Sequence, residues 1–385
     1  MTSKERMLAA LNGTGPDRLP VTSHHIMPYY LDHCLDGMSE RAFWDEFGLD
    51  AYCWTMPHRP APGSNDYPDP LQTKIGFLES HRVANDSWRV FEQDVSNDGR
   101  KLTRYNFLTP RGTLTMVVEN ADYTAWVIEP LVKNKHDIEL IGAYVTTPHC
   151  DVEALNQQAA AFGDRGLVRG IICPFDVFGQ AGCWQDACCL VGSQRLIMEA
   201  HDDPEWVHQL LGILLRRKMG YVQSLEGAHY DIMEHGGGDG SASVISPRLF
   251  DTFVAPYDKP LVDACHRSGQ RVVYHLCGKI MPMIERTVQM GVDAIETFTP
   301  RGMGGDTNLR EAHKRIAGRA CMIGGFDQLH FFTGCDQQAT RAEVRRCFNE
   351  AGPGGRYMLS PSDHFFDARR ELVQAFGSEA ANCRY

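Results

Sequence analysis

From about residue 135 onward, the chain alternates short apolar segments with segments of helical periodicity. Residues 271–296 show the pattern most clearly, because a segment with its apolar side chains on one helix face separates two short apolar runs. A strand–helix–strand order of this kind makes the two strands parallel neighbours in one sheet. The repeated order predicts an α/β fold, with residues 1–385 forming a single (β/α)8 TIM barrel domain.

The segment from about residue 80 to residue 129 departs from this rhythm. It alternates polar and apolar side chains and contains turn signals at residues 97–99 (Asn-Asp-Gly) and 110–112 (Pro-Arg-Gly). We interpret it as an N-terminal antiparallel β-hairpin insertion that decorates the barrel. The proline-rich residues 57–70 predict a long loop ahead of it, over the site.

The amino-acid composition disfavours several classes of protein function. The 385 residues are 43% hydrophobic and 23% charged, as in a globular protein, and the net charge of −11, with both signs interspersed, disfavours a nucleic-acid partner. Thirteen scattered cysteines fit a reducing compartment better than a disulfide framework. No signal peptide and no apolar run of roughly 20 residues is present, so we expect a soluble, cytoplasmic protein without a membrane partner. The oligomeric state, including a homodimer, stays open.

A predicted strand over residues 271–278 ends in His275-x-Cys277-Gly278. Residues two apart in a strand point to the same side, so the imidazole and the thiolate project together. Nitrogen and sulfur ligands of this kind suit zinc. The competing interpretation is a buried core cysteine beside a structural histidine.

Two later strand ends offer further metal ligands, Glu296 and His364. The C-terminal ends of parallel barrel strands meet at one rim, which is where barrel enzymes place their chemistry. We therefore predict a zinc site formed by His275, Cys277, Glu296 and His364. Cys321 is a rival third ligand, but it lies early in its strand, where a buried core thiol is expected.

Other candidates lie at or near predicted strand ends. Glu234 and Asp239 flank a glycine-rich turn at residues 236–240 and are predicted to act in catalysis or to orient His275. The aromatic candidates can equally cover the barrel mouth. The predicted substrate-binding residues are His24, His25, Tyr29, Tyr30, Trp54, Asp176 and Asp327.

Five groups of segments occur in a characteristic order: residues 6–13 with 16–21, 109–114 with Trp126, 245–250, 275–278, and 324–327. In this order and spacing the chain resembles the uroporphyrinogen decarboxylase superfamily nearly end to end. Its corrinoid-dependent zinc methyltransferase branch is more similar than its decarboxylases. The resemblance implies a TIM barrel, a zinc ion and a methyl transfer that involves a corrinoid.

Two positions depart from the family pattern. The decarboxylases carry an arginine-rich segment after the first strand that binds substrate carboxylates, whereas residues 23–30 of this chain contain no arginine. The thiol methyltransferases place a cysteine ligand in the last barrel segment, where this chain has His364. Cobalamin-independent methionine synthase, a distant relative in fold, uses His-x-Cys and then a glutamate, which supports Glu296.

We therefore expect a zinc-dependent methyltransferase that moves a methyl group between a small methylated substrate and a corrinoid. Replacing a thiolate by His364 makes the zinc a stronger Lewis acid, which favours the demethylation direction. The chain lacks an Asp-x-His-x-x-Gly corrinoid signature, so the methylcobamide must arrive on a separate protein. Two alternatives stay open: a metal-free decarboxylase or lyase of a non-porphyrin substrate, with His364 and Asp239 as acid and anion stabiliser, and a non-catalytic ligand-binding barrel.

Overall fold

The computed structural model of the chain describes residues 1–72, 74–75, 78–79 and 82–385. Its strands are β1 (Ala51–Trp54), β2 (His58–Arg59), β3 (Tyr67–Pro68), β4 (Lys74–Ile75), β5 (Leu78–Glu79), β6 (Val83–Ala84), β7 (Arg89–Asp94), β8 (Leu102–Thr109), β9 (Gly112–Asn120), β10 (Ala125–Glu129), β11 (His149–Cys150), β12 (Gly166–Ile171), β13 (Ile232–Gly236), β14 (Val272–His275), β15 (Ala294–Thr297), β16 (Cys321–Gly324) and β17 (Tyr357–Met358).

The α-helices are α1 (Ser3–Asn12), α2 (Pro28–Cys34), α3 (Glu40–Phe47), α4 (Asp137–Tyr144), α5 (Val152–Phe162), α6 (Cys183–Val191), α7 (Ser193–Asp202), α8 (Pro204–Gln223), α9 (Pro247–Leu249), α10 (Ala255–Arg267), α11 (Ile284–Gln289), α12 (Leu309–Ile316), α13 (Gln328–Phe331), α14 (Gln337–Ala351) and α15 (Arg370–Asn382). None of the helices in the described ranges combines the length and the apolar character that a bilayer span requires.

The central sheet contains seven parallel strands in the order β1-β12-β13-β14-β15-β16-β17. Helices lie between the successive strands from β12 onward, as the strand–helix rhythm predicted. The predicted α/β class with a curled parallel sheet is therefore confirmed.

Residues 20–22 lie between the two outer strands of this sheet. Val21 bridges Leu359 in parallel, and the Leu359 and Thr22 amides donate to the carbonyls of Pro20 and Leu359, both at 2.9 Å. On the other side, the Asp50 amide donates to the Val21 carbonyl at 2.6 Å. We call residues 20–22 the seam, because their backbone bonds to Asp50, which precedes the first strand, and to Leu359, which follows the last.

Each strand of the central sheet contributes a buried side chain to one apolar cluster. Helix α1 covers this cluster with Met7, Ala10 and Leu11. A capping box at Thr2 and a left-handed Gly13 fix the two ends of that helix. We call the strand contribution the inner apolar layer: Tyr52, Leu167, Ile232, Val273, Ala294, Cys321, Ile323 and Met358.

An antiparallel sheet with the order β10-β9-β8-β7 spans Arg89–Glu129. Both predicted turn signals lie at its hairpins. At the first, Asp98 and Gly99 have φ of 44° and 78°, the positive values that a two-residue hairpin turn needs. Residues 80 and 81, the start of the predicted insertion, lie outside the described residues. In the predicted loop at residues 57–70, the regular secondary structure consists of the two-residue strands β2 and β3.

Candidate active site

A cavity of about 1270 Å³ opens at the C-terminal ends of the central strands. Its lining includes side chains that follow three of those strands: Trp54 at the end of β1, His275 and Cys277 at the end of β14, and His364 after β17. His24 and His25 reach the same cavity directly after the seam. The cavity therefore lies where the strand-end argument placed it.

A charged layer lies directly above the inner apolar layer. Because side chains alternate along a strand, the residue two positions after each apolar member points to the same side. Four strands place a titratable or charged side chain at that position: Arg169, Glu234, His275 and Glu296.

Arg169 is the cation of this layer and is fully buried. Its Nη2 donates to Glu234 Oε2 at 2.6 Å and also to Glu296 Oε1. The guanidinium carbon lies 4.4 Å from the centre of the Trp54 ring, which adds a cation–π contact. Burial alone would lower the pKa of Arg169, but the two carboxylates outweigh it and raise that pKa. Sequence reasoning missed this residue, although an arginine inside an otherwise apolar strand was a visible signal.

His24 is held by the same two carboxylates. Its Nε2 lies 3.0 Å from Glu234 Oε2 and 3.2 Å from Glu296 Oε1. Burial would lower the pKa of His24, but the charges of Glu296 and Glu234 raise it overall. Burial also opposes ionisation of Glu234, yet His24 and Arg169 lower its pKa to about 2. The other ring nitrogen, His24 Nδ1, is buried and has no hydrogen-bond partner among the described residues.

His275, Cys277 and Asp363 form a compact group of metal donors. One ligand atom from each lies within 4.8 Å of those of the others. His275 Nδ1 donates to Glu296 Oε1 at 2.9 Å, so Nε2 is the nitrogen left for a ligand. Burial would lower the pKa of His275, but its bonds to Cys277 and Glu296 hold it well above the ordinary value. His364 holds the pKa of Asp363 low despite burial, so that the carboxylate is ionised.

The four predicted zinc ligands fall into three overlapping donor groups in the described part of the chain. His275 and Cys277 share one group with Asp363, and His275 and Glu296 share another with His24 and Glu234. His364 belongs to a different donor group with His24 and His25. The position of all four as ligands of one ion stays a prediction. Asp363 was not predicted, although it directly precedes His364 in the same strand-end segment.

Trp54, His25 and His364 stack in succession at one side of the cavity. The His25 ring lies 4.1 Å from the Trp54 ring and 5.1 Å from the His364 ring. Burial and then the neighbouring His24 and His364 lower the pKa of His25 well below its ordinary value. His25 is therefore a neutral imidazole at physiological pH.

Asp239 and Asp176 both line the cavity, but their carboxylates already have partners. Asp239 Oδ2 accepts from Gln185 Nε2 at 2.8 Å and from Ser193 Oγ at 3.2 Å, rather than from His275. Asp176 accepts from Trp88 Nε1 and from Arg217 Nη2 at 3.1 Å. These bonds fix both carboxylates in the cavity wall.

Three predicted substrate contacts lie outside the cavity lining of the described residues. Tyr29 stacks on His33 at 4.1 Å. Tyr30 is fully buried in the hydrophobic core. Asp327 caps the start of helix α13 and pairs with His330 at 2.9 Å. Each of the three thus has a structural contact that sequence position alone did not reveal.

Arginine and lysine are absent from the cavity wall, as far as the described residues show, whereas five histidines line it: His24, His25, His58, His275 and His364. Five acidic side chains line it: Glu40, Asp176, Glu234, Asp239 and Asp363. Arg169 lies beneath this wall and is neutralised by Glu234 and Glu296. The described wall therefore presents carboxylates and imidazoles but no guanidinium or ammonium group.

Known proteins resemble the chain in fold and in part in sequence. A solved structure titled methyltransferase from Methanosarcina mazei has 16% sequence identity, a TM-score of 0.62, and a match covering 99% of each chain, which shows a shared fold. D-psicose 3-epimerase, solved in the presence of D-fructose, has 10% identity over 64% of this chain and 84% of its own, and its TM-score of 0.34 is too low to support an argument. Among curated proteins, no sequence matches.

The sequence model of one family covers half of the chain. The uroporphyrinogen decarboxylase (URO-D) model matches residues 175–367, a range that contains the charged-layer residue Glu234, the donors His275, Cys277 and Asp363, and His364. The resemblance seen in the sequence is thereby confirmed, and the chain belongs to the uroporphyrinogen decarboxylase family.

Proposed function

We propose that the protein is a zinc-dependent methyltransferase, which moves a methyl group from a small methylated substrate to a corrinoid carried on a separate protein. The observation that carries this proposal is the nitrogen, sulfur and oxygen donor group of His275, Cys277 and Asp363 in the cavity. The methyltransferase title of the Methanosarcina mazei structure, which shares the fold, supports the reaction class.

The donor group fits zinc on chemical grounds. Catalytic zinc sites have three protein ligands from His, Cys, Asp or Glu and keep one position open. Glu296 on His275 Nδ1 reproduces the carboxylate–histidine arrangement that orients a ligating imidazole. Zinc bound there would polarise the heteroatom that leaves with the substrate. Glu296 is then a positioning residue. Asp363 takes the ligand role that was predicted for Glu296.

The cavity's charge selects the substrate class. A carboxylate-rich porphyrinogen needs arginine clamps, and the described cavity wall presents no arginine or lysine. A wall without such clamps instead favours an uncharged or cationic methyl donor. Trp54 and Phe175 supply apolar surface for its body.

The cavity's size leaves room for the methyl acceptor. Its volume of about 1270 Å³ exceeds the range of roughly 300–1,000 Å³ that is usual for small-ligand pockets.

In the transfer, the bond between the methyl carbon and its heteroatom breaks, and the heteroatom keeps the electron pair. The methyl group bonds to the reduced cobalt of the corrinoid, which is a second substrate here. We place this chemistry on a closed (β/α)8 barrel whose eighth strand is the seam, in a reducing cytoplasm that suits thirteen free thiols.

A metal-free decarboxylase or lyase of a non-porphyrin substrate is the second candidate. Membership of the URO-D family favours it. Its anion stabiliser would have to come from the acidic wall, and Asp239 is already bound by Gln185 and Ser193. The absence of arginine and lysine from the described wall makes a carboxylate substrate the less suitable one.

Metal analysis and a cobalt assay test the proposal. Protein purified without chelator should lose about one zinc per chain on Cys277→Ala. The matched control Cys321→Ala, a buried thiol of the inner apolar layer, should retain the wild-type zinc content. Wild-type protein with a reduced corrinoid protein and a methylated donor should convert Co(I) to methyl-Co(III), visible in the absorption spectrum. Unchanged zinc in Cys277→Ala, or turnover of a carboxylated substrate by metal-free protein, would contradict the proposal.

A further inference from the structure

A second donor group lies beside the first and consists only of imidazoles. His24, His25 and His364 each offer a ring nitrogen, and these atoms lie within 4.8 Å of one another. His24 and His25 follow the seam, whereas His364 follows β17, so the two edges of the curled sheet meet in this group. We call it the imidazole trio.

His24 has the arrangement of an oriented metal ligand. Carboxylates only accept hydrogen bonds, so the nitrogen that contacts Glu234 and Glu296, Nε2, carries the proton. In the neutral ring, the form that binds a metal ion, Nδ1 then presents a lone pair. That atom is buried and lacks a hydrogen-bond partner among the described residues, although the side chain is only 8% exposed. A buried polar atom without a partner is costly, and ligation of an ion would satisfy it.

The other two rings are held in place by packing. His25 is stacked between Trp54 at 4.1 Å and His364 at 5.1 Å. His364 Nδ1 lies 3.0 Å from Asp363 Oδ1, so a carboxylate fixes its ring as well. Two members of the trio thus have the carboxylate contact that orients ligating histidines.

We propose that the imidazole trio is a second metal site, which takes a divalent ion of the zinc type. Three imidazoles, with the second proton of His24 displaced by the ion, suit zinc and leave one of its four positions open toward the cavity. The proposal goes beyond the methyl transfer and does not depend on it, because none of the three ligands belongs to the His275–Cys277–Asp363 group. An ion there would add a second electrophilic centre beside the first, since the His24 and His275 rings lie 4.8 Å apart.

Cobalt(II) distinguishes the two sites, because a thiolate ligand gives sulfur-to-cobalt charge-transfer absorption and imidazoles do not. Chelator-treated wild-type protein titrated with cobalt(II) should bind about two ions per chain, one at the His275–Cys277–Asp363 group and one at the imidazole trio. His25→Gln should bind about one and retain the charge-transfer absorption. Cys277→Ser should also bind about one, without that absorption. The control His58→Gln, a cavity histidine outside the trio, should bind about two.

Three outcomes would overturn the second site. The first is one ion in the wild type with no change in His25→Gln. The second is loss of the same single ion in both His25→Gln and Cys277→Ser, which would mean one shared site. The third is about two ions in both His25→Gln and His364→Gln. Circular dichroism and melting temperatures establish that each variant is folded, and His364→Gln replaces His25→Gln should the latter unfold. A single ion without charge-transfer absorption that His25→Gln removes would support the trio and contradict the proposed His275–Cys277 site.

Discussion

His275 donates a hydrogen bond from Nδ1 to Glu296 Oε1 at 2.9 Å, and the two residues are direct register partners on β14 and β15. Parallel pairing therefore delivers the imidazole and its carboxylate to the same height above the inner apolar layer. Because Nδ1 is occupied, the ring can rotate little, and Nε2 is the nitrogen left for a ligand shared with Cys277 and Asp363. One backbone register thus sets the tautomer of the central histidine.

Glu296→Gln should weaken metal binding at His275 and Cys277. The amide still reaches the ring but carries no charge, and loss of such an orienting partner lowers metal affinity by about 10-fold to 100-fold. Competition with a chromogenic chelator measures the change. Glu285→Gln, which removes a surface partner of Arg315, is the control and should retain wild-type affinity. Equal affinity in the two variants would show that Glu296 does not orient His275.

Gly238→Ala should also weaken the site, through steric overlap. A methyl group at this position would lie 2.5 Å from Cys277 Sγ, so the thiolate has to move. We expect a loss of metal affinity of about 10-fold or more, as for other displaced ligands. Gly240→Ala is a matched control in the same turn, because its nearest contact would be an ordinary 3.6 Å. Similar affinities in both variants would contradict a ligand role for Cys277.

Arg169→Met should destabilise the fold rather than change a surface contact. The substitution leaves the buried Glu234 and Glu296 with His24 as their remaining shared partner, and breaking a buried pair in this way costs about 3–5 kcal/mol. Urea unfolding measures the free energy. Arg100→Met, which removes the exposed pair with Glu119, should leave the midpoint unchanged. A wild-type midpoint for Arg169→Met would show that the two carboxylates find other compensation.

Asp17 should make the anchoring of helix α1 dependent on acid pH. Its hydrogen bond with Arg6 is the largest cause that lowers the pKa of Asp17 from 3.8 to about 2. A lowered folded-state pKa contributes stability that is present above the unfolded value and disappears as the pH falls through about 2. The melting temperature of Asp17→Asn should therefore lie below that of wild type at neutral pH and converge with it near pH 2. Asp45→Asn, in an exposed pair with Arg41, should show no difference at either pH.

Uroporphyrinogen should be neither bound nor decarboxylated by the protein. Its carboxylates require basic partners, and the described cavity wall contains acidic side chains and no arginine or lysine. Incubation under reducing conditions followed by chromatography of the oxidised products checks this. Formation of coproporphyrinogen would overturn the substrate class proposed here.

The closeness of His275 and Cys277 could be predicted because the two residues are only two positions apart, although β14 ends at His275 and Cys277 lies just beyond it. The partner of each ligand could not, because it depends on which strands are neighbours and at what register. Glu296 reaches Nδ1 of His275 through the β14–β15 pairing, and His364 meets His24 only because the sheet curls round. Sequence spacing contains no information about that closure.

Arg169 and Tyr30 also show that sequence position does not predict which side chains belong to the site. The strand-end criterion missed Arg169 and wrongly included Tyr30. Arg169 lies inside a strand that reads as buried, so a search confined to strand ends passes over the main cation of the site. Tyr30 lies near His24 and His25 in sequence, but helix α2 turns its ring into the core. Nearness to a strand end predicts access to the cavity only when the direction of the following element is known.

The seam joins the sheet through the backbone hydrogen bonds of Pro20, Val21 and Thr22, and the next two side chains that bear on the cavity are His24 and His25. The hydrogen bonding of the sheet edges and the placement of these imidazoles therefore depend on the same short segment. Any ligand that binds His364 together with His24 or His25 links the two edges of the central sheet. Part of the ligand's binding free energy then opposes local unfolding of the sheet at the seam.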